Sequence, residues 1–267
     1  MNERIEGAIA GHYKAHELLS AIDAELRKRG LNPAQIAAED LDGIDHFHTA
    51  GRQATAELAT LAQVTPGMKV IDIGGGTGGP ARTLASTYAC DVTVLDLTAE
   101  FCAAGTVLAE RVGLGERVTF YHGNALNIPA AANGFDLAWT MQSSMNIPDK
   151  PRLYSEIFRV LRPGGRLAIQ EYLAGPGGAP VFPTPFANDE SMAFLLPEEA
   201  MRGTIRAAGF REVAWRDVTD ALNQLPTGHL MVSLVHGAKE GEMQRNMRRN
   251  REERRLIVVQ AIFEKPN

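Results

Sequence analysis

Residues 70–85 read VIDIGGGTGGPARTLA: an apolar run, an aspartate, and then five glycines within the six positions 74–79. The apolar run has the length and β-branched content of a buried strand. Pro80 suits the first position of a helix, where its missing N–H would be unpaired in any case. A strand that turns this sharply into a helix commits the chain to an α/β fold. The other apolar runs agree: KVIDI, DVTVLD, RVTFY, FDLAW and GRLAIQEY are separated by helix-length segments. That alternation predicts a mostly parallel sheet with helices on both faces.

Leu18, Leu19, Ile22 and Leu26 recur at helical spacing up to Gly30, and Asn32-Pro33 reads as the cap and first turn of a second short helix. Residues 1–62 are therefore expected to form a helical N-terminal cap, and residues 63–267 the sheet domain. Further helices are expected at 99–113, 151–161, 197–208 and 219–238, followed by an arginine-rich helix, with strands at 210–217 and LIVVQAIF. Residues 174–186, AGPGGAPVFPTPF, are too rich in Pro and Gly for a regular element. A loop of that length is expected to cover a site.

The 267 residues, 45% apolar with mean hydropathy −0.15, suffice for one substantial core and a small appendage. A net charge of −5 and a pI near 5.8 give no long-range attraction for a phosphate backbone, so nucleic acid is not the expected partner. No stretch approaches the roughly 20 apolar residues of a membrane span, and the N-terminus has no apolar core behind a basic start. A cytoplasmic protein without a membrane partner is expected. Cys90 and Cys102 form no C-x-x-C pair and read as reduced core residues, with no metal site.

Ligands of an open α/β sheet bind outside the carboxyl ends of the strands, which selects residues 72–79, 96–98, 123–126 and 140–147. Gly74, Gly76 and Gly79 satisfy G-x-G-x-x-G, and Asp96 follows Gly76 by twenty positions, the spacing of a ribose-binding carboxylate in dinucleotide sites. Asp72 argues the other way. A fixed negative charge at the strand mouth repels a pyrophosphate and attracts an ammonium group. A zwitterionic amino-acid ligand is favoured, with an NAD-dependent oxidoreductase as the alternative.

Six stretches in order carry a resemblance: VIDIGGGTGGPAR, VTVLDLT, GNALNIP, FDLAWTMQSSMNIPDK, RVLRPGGRLAIQEY and FLLPEEAMRGTIRAAGF. Through them the chain resembles the class I S-adenosylmethionine-dependent methyltransferases, and is similar to the small-molecule enzymes of the sarcosine/dimethylglycine and tocopherol methyltransferase type. The resemblance covers roughly residues 44–215, and HYKAHELL and DHFHTAGRQAT resemble the group's lead-in. It implies a Rossmann-like, seven-stranded sheet, S-adenosylmethionine as cofactor with S-adenosylhomocysteine as product, and in-line methyl transfer to N, O or C of a small-molecule acceptor.

By position, the resemblance implies that Gly74, Gly75 and Gly76 let the backbone approach the methionine portion, with Asp72 near its amino group. Asp96 would hold the ribose hydroxyls and Leu97 would lie against the adenine. Asn124 and Ala125 stand where the family usually has Asp-Ala beside the adenine amino group, so a charge has been lost there. Met141 and Gln142 would border the sulfur, and Tyr13, Phe47 and Arg52 would close the pocket from the N-terminal helices.

For the acceptor, His46 and His48 are the first candidates for a base, with Glu171 at the end of the fifth strand as the next. Ser143, Ser144, Asn146 and Tyr172 are candidates to bind a polar substrate group. The segment RNMRRNREERR reads as a solvated helix face with local ion pairs, the alternative being an arginine that captures a substrate carboxylate. A non-catalytic S-adenosylmethionine-binding protein is the second alternative, and a homodimer is left open.

Overall fold

The structure is a computed structural model, and it describes residues 3–13, 17–224 and 230–267. Seven strands among these form one sheet: β1 (Lys69–Ile73), β2 (Asp91–Asp96), β3 (Val118–His122), β4 (Phe135–Met141), β5 (Leu161–Ala174), β6 (Arg211–Asp217) and β7 (Leu256–Glu264). Their spatial order is β3-β2-β1-β4-β5-β7-β6. β1 to β5 are parallel, and β7 pairs antiparallel with both β5 and β6. The chain walks outward from β1 to β3 and then returns to β4 on the other side of β1. The sheet therefore has its topological switch point at the carboxyl ends of β1 and β4, where an α/β sheet opens a crevice.

The helices are α1 (Glu3–His12), α2 (Leu18–Lys28), α3 (Gly51–Ala62), α4 (Gly79–Tyr88), α5 (Ala99–Arg111), α6 (Lys150–Val160), α7 (Glu198–Ala207), α8 (Thr219–Asn223), α9 (Leu230–His236) and α10 (Glu240–Glu252). Strand alternation sends successive side chains to opposite faces. Val70 joins Leu58 of α3 and Leu84 of α4 on one face, while Ile71 and Ile73 join Leu153 and Ile157 of α6 and Ile205 of α7 on the other. A third apolar cluster ties Leu18, Ile22 and Leu26 of α2 to Phe101 and Leu108 of α5 and Met231 of α9. Among the described residues, no helix is long and apolar enough to cross a membrane.

Two predicted helices differ in the structure. Asn32 Oδ1 does accept the Ala34 N–H at 3.2 Å, but the cap closes only a turn, and the chain next forms a single 3-10 turn at Ala38–Leu41. The segment 219–238 is not one helix: α8 ends at Asn223 and α9 starts at Leu230, with residues 225–229 outside the described set. The arginine-rich α10 is not wholly solvated either. Met243, Met247, Asn250 and Arg251 are buried, and Asn250 bonds both the N–H and the C=O of Val181 at 2.7 and 2.9 Å. The Pro/Gly-rich loop is thereby fastened along α10.

Candidate active site

The floor of the crevice is the turn after β1. Gly74, Gly76 and Gly78 have φ of 69°, 57° and 81°, the left-handed region that side chains resist. At Gly74 a Cβ would lie 2.4 Å from Ser143 Cβ, so the turn rests directly on the loop after β4. At Gly75 it would lie 2.5 Å from Asp72 Oδ2. Absent side chains leave backbone and the Asp72 carboxylate as the surface of the floor.

Asp72 is 1% exposed, and its Oδ2 has no hydrogen-bond partner among the described residues. Burial, with Asp96 nearby, pushes its carboxyl up to about 8. A buried carboxylate oxygen without a donor is unfavourable in isolation, so this one fits a site for a cationic donor. Asp96, at the end of β2, is held differently. Its Oδ2 accepts the Gly76 N–H and its Oδ1 the Thr98 N–H, both at 2.8 Å. Burial raises its pKa while those two N–H groups oppose the rise, and both oxygens retain lone pairs for a diol.

A cleft with about 1060 Å³ of empty space, its open mouth included, lies over this floor. Its roof comes from Ile9 of α1 and Tyr13 just after it, Phe47 and His48 of the segment before α3, Phe101 of α5 and Met231 of α9. Polar atoms of the roof and rim are paired with one another. Tyr13 Oη donates to Asn146 Oδ1 at 2.9 Å, and Asn146 Nδ2 donates to the Phe186 and Met192 carbonyls at 2.7 and 3.0 Å. Gln142 Oε1 accepts the Thr49 N–H at 2.9 Å, although Gln142 has a φ of 54°. His12 and His236 each place Nε2 3.0 Å from the Pro185 carbonyl, joining α1, α9 and the Pro/Gly-rich loop. Burial and the neighbouring His12 lower His236 to about 4.

Every residue predicted for the cofactor except Arg52 lines this cleft, as do His48, Ser143 and Asn146. Arg52 lies outside the lining, bonding Asp42 Oδ1 at 2.5 Å and the Ala38 carbonyl at 3.1 Å. His46 is also outside it. Its Nδ1 lies 2.7 Å from Asp45 Oδ1 and its Nε2 3.3 Å from Thr83 Oγ1. Asp45 also takes Arg82 at 2.7 Å, and Arg82 bonds the Thr77 carbonyl at 2.6 Å, which knits the roof segment to the glycine turn. Burial alone would raise the Asp45 carboxyl, but His46 and Arg82 beside it hold it well below the usual carboxylate range.

Glu171 is fully buried beneath the loop after β4, where Oε1 accepts from Thr140 Oγ1 at 3.0 Å and from the Ser144 N–H at 3.2 Å. It shapes that loop and does not line the cleft. Ser144 is buried with it. Tyr172 bonds Thr49 Oγ1 at 2.6 Å and stacks on Phe186, again outside the lining. His48 does line the cleft, with Nδ1 3.2 Å from the Thr49 carbonyl and Nε2 3.3 Å from Thr55 Oγ1. Asn124 also lines it, but Oδ1 accepts the Leu126 N–H at 2.9 Å and Nδ2 donates to Glu6 Oε1 at 2.8 Å. Sequence reasoning missed Ile9, Pro80, Phe101 and Met231 as lining residues. Only Ile9 left a signal, its four-residue spacing from Tyr13 on one helix face.

Residues 71–169, from β1 into β5, match the family model described as a methyltransferase domain. The chain is 37% identical over 128 residues to a sterol 24-C-methyltransferase of Yarrowia lipolytica, covering 46% of this chain and 34% of that one. It is 28% identical over 196 residues to a sarcosine/dimethylglycine N-methyltransferase of Halorhodospira halochloris, covering 73% and 69%. It spans between 30% and 55% of the length of the first curated relatives it matches. Among solved structures it superposes on the 4+2 cyclase SpnF with a TM-score of 0.66 at 25% identity, covering 84% of this chain and 85% of that one. A Haemonchus contortus phosphoethanolamine N-methyltransferase 2, solved with S-adenosyl-L-methionine, gives 0.71 at 20% identity, covering 84% and 55%. Residues 71–169 thus resemble a methyltransferase domain, carried on a Rossmann-like, seven-stranded fold.

Proposed function

We propose that this methyltransferase-domain chain is an S-adenosylmethionine-dependent enzyme that methylates a small-molecule acceptor, with residues 1–62 as its cap. The observation that carries the reading is the buried, unpartnered Asp72 oxygen at the mouth of β1. The ligand that suits this floor has an ammonium group for Asp72, a diol for Asp96 and no phosphate. S-adenosylmethionine has all three properties. An NAD pyrophosphate placed on the same turn would oppose ionisation of the Asp72 carboxyl, which burial and Asp96 already disfavour and which an ammonium group favours. The names of the relatives support the same reading.

When bound, S-adenosylmethionine supplies an electrophilic methyl group on a sulfonium whose positive charge disperses as the methyl leaves. The chain's own task is to align the acceptor and exclude water. Asp72 would hold the ammonium group and Asp96 the diol, and Met141 and Gln142 at the end of β4 border the space between floor and roof. Ile9, Tyr13, Phe47 and Phe101 cover that space with apolar surface.

His48 is held between the Thr49 carbonyl and the Thr55 hydroxyl. A carbonyl only accepts, so Nδ1 carries the proton toward Thr49 and Nε2 faces the Thr55 hydroxyl.

The test is calorimetric titration with S-adenosylhomocysteine and NAD, followed by incubation of an acceptor panel with cofactor tritiated at the methyl group. Binding of S-adenosylhomocysteine and label in an acceptor are expected. NAD binding in its place would overturn the proposal. The likeness to a 4+2 cyclase favours one second reading, because fold does not fix chemistry. Tight S-adenosylhomocysteine binding with no label in any acceptor would support that reading, a cofactor held without methyl transfer.

A further inference from the structure

Resting on the cofactor reading above, the ligand runs from Asp72 at the tip of β1 across Asp96 at the tip of β2. Adjacent strands lie about 4.8 Å apart. Whatever follows the ribose therefore reaches the tip of β3, where Gly123, Asn124 and Ala125 line the cleft. In S-adenosylmethionine that group is adenine, whose amino edge donates hydrogen bonds and needs an acceptor.

Asn124 stands at that edge with its amide already oriented by others. The Leu126 N–H takes its carbonyl at 2.9 Å, and its NH₂ points to Glu6 Oε1 at 2.8 Å. A carboxylate from α1, 118 residues away along the chain, is thus held directly against Asn124, one side chain back from the lining of the cleft. The same helix and the residue after it roof the cleft through Ile9 and Tyr13, and Ile9 packs in a cluster with Met145, Phe186 and Met192.

We propose that Glu6 reads the adenine amino group, with Asn124 as the positioning residue that holds the Glu6 carboxylate in place. Filling the adenine end of the cleft and seating α1 are then one event. A carboxylate accepts from an amino group and repels a carbonyl oxygen, so the site discriminates adenine from its deaminated counterpart. Glutamine at the same place would offer both an N–H and a C=O and would lose that discrimination.

The experiment is a set of calorimetric titrations with S-adenosylhomocysteine and S-inosylhomocysteine, on the wild-type chain, Glu6→Gln, Asn124→Asp and the double variant. The wild type is expected to prefer the adenine compound by on the order of 100-fold. In Glu6→Gln that preference should fall to about threefold. Asn124→Asp sets two carboxylates together and should weaken both ligands, while Glu6→Gln/Asn124→Asp returns one carboxylate to the corner and should restore the preference. Amide exchange in α1 should slow when S-adenosylhomocysteine binds the wild type, and slow less in Glu6→Gln. A merely structural Glu6 would shift both affinities together and leave the ratio unchanged. An unchanged ratio in Glu6→Gln would overturn the Glu6 assignment alone; failure of the wild type to bind S-adenosylhomocysteine would overturn the cofactor reading and this inference with it.

Discussion

On the floor of the cleft Asp72 keeps a buried carboxylate oxygen without a donor among the described residues. On the roof and rim Tyr13, Thr49, Gln142 and Asn146 bond one another and the nearby backbone. Both regions are polar. Glu171 Oε2 and Ser144 Oγ under the loop after β4 also lack a partner among the described residues, but of such atoms only the Asp72 oxygen belongs to a residue that lines the cleft. A buried group left unsatisfied lowers the stability of the free protein and can regain that loss when a ligand supplies the donor. The roof needs no ligand to be internally satisfied. Binding chemistry belongs to the floor and closure to the roof.

The sharpest way to break the contrast is Gly74→Ala. Its Cβ would lie 2.4 Å from Ser143 Cβ at a φ of 69°, so the variant should lose about 2–4 kcal/mol of stability in denaturant unfolding. It should show no measurable S-adenosylhomocysteine binding. Asp72→Asn should separate the two properties instead. Affinity for S-adenosylhomocysteine should fall on the order of 100-fold with the lost charge-assisted bond, while the melting temperature holds or rises. Because the folded value near 8 lies above the ordinary 3.8, the unfolded chain releases between those values a proton that the native state keeps. The contribution of Asp72 to stability therefore declines as pH rises from 3.8 to about 8, and the asparagine variant should flatten that slope.

The roof has the opposite sign. His236, lowered to about 4 from 6.5 by burial, His12 and Lys239, contributes stability that is present above 6.5 and is lost as pH falls toward 4. Amide exchange in α1 and α9 should accelerate across that window, and His236→Phe should remove most of the pH dependence. The smallest effect is expected for Arg52→Ala. Its ion pair with Asp42 is partly exposed, so stability should change by about 0.5 kcal/mol or less and S-adenosylhomocysteine affinity should be unaltered. A large loss of affinity there would place Arg52 in the site after all.

The same division explains what could be read from the sequence. The βα units, the parallel sheet and the floor residues Asp72, Gly74, Gly76 and Asp96 follow from local pattern, because each sits at a fixed offset from the strand that carries it. Roof residues are positioned by contacts distant in sequence. His46 and His48 are two residues apart and indistinguishable by composition, yet His46 turns under the glycine turn to Asp45 and Thr83 while His48 lines the cleft. Glu171 follows a strand pattern correctly to the carboxyl end of β5, but its partners on the loop after β4 bury it. Asn32 forms its cap bond and no helix follows, since packing and not the cap decides whether a short helix persists.

The most direct measurement titrates S-adenosylhomocysteine into the chain at pH 7 in two buffers of different ionisation enthalpy. If the Asp72 carboxyl, pushed up to about 8 in the free protein, must ionise to hold the ligand's ammonium group, binding releases close to one proton, and Asp72→Asn releases none. Equal heats in the two buffers, or proton release unchanged in Asp72→Asn, would contradict the assignment of that oxygen to the ligand.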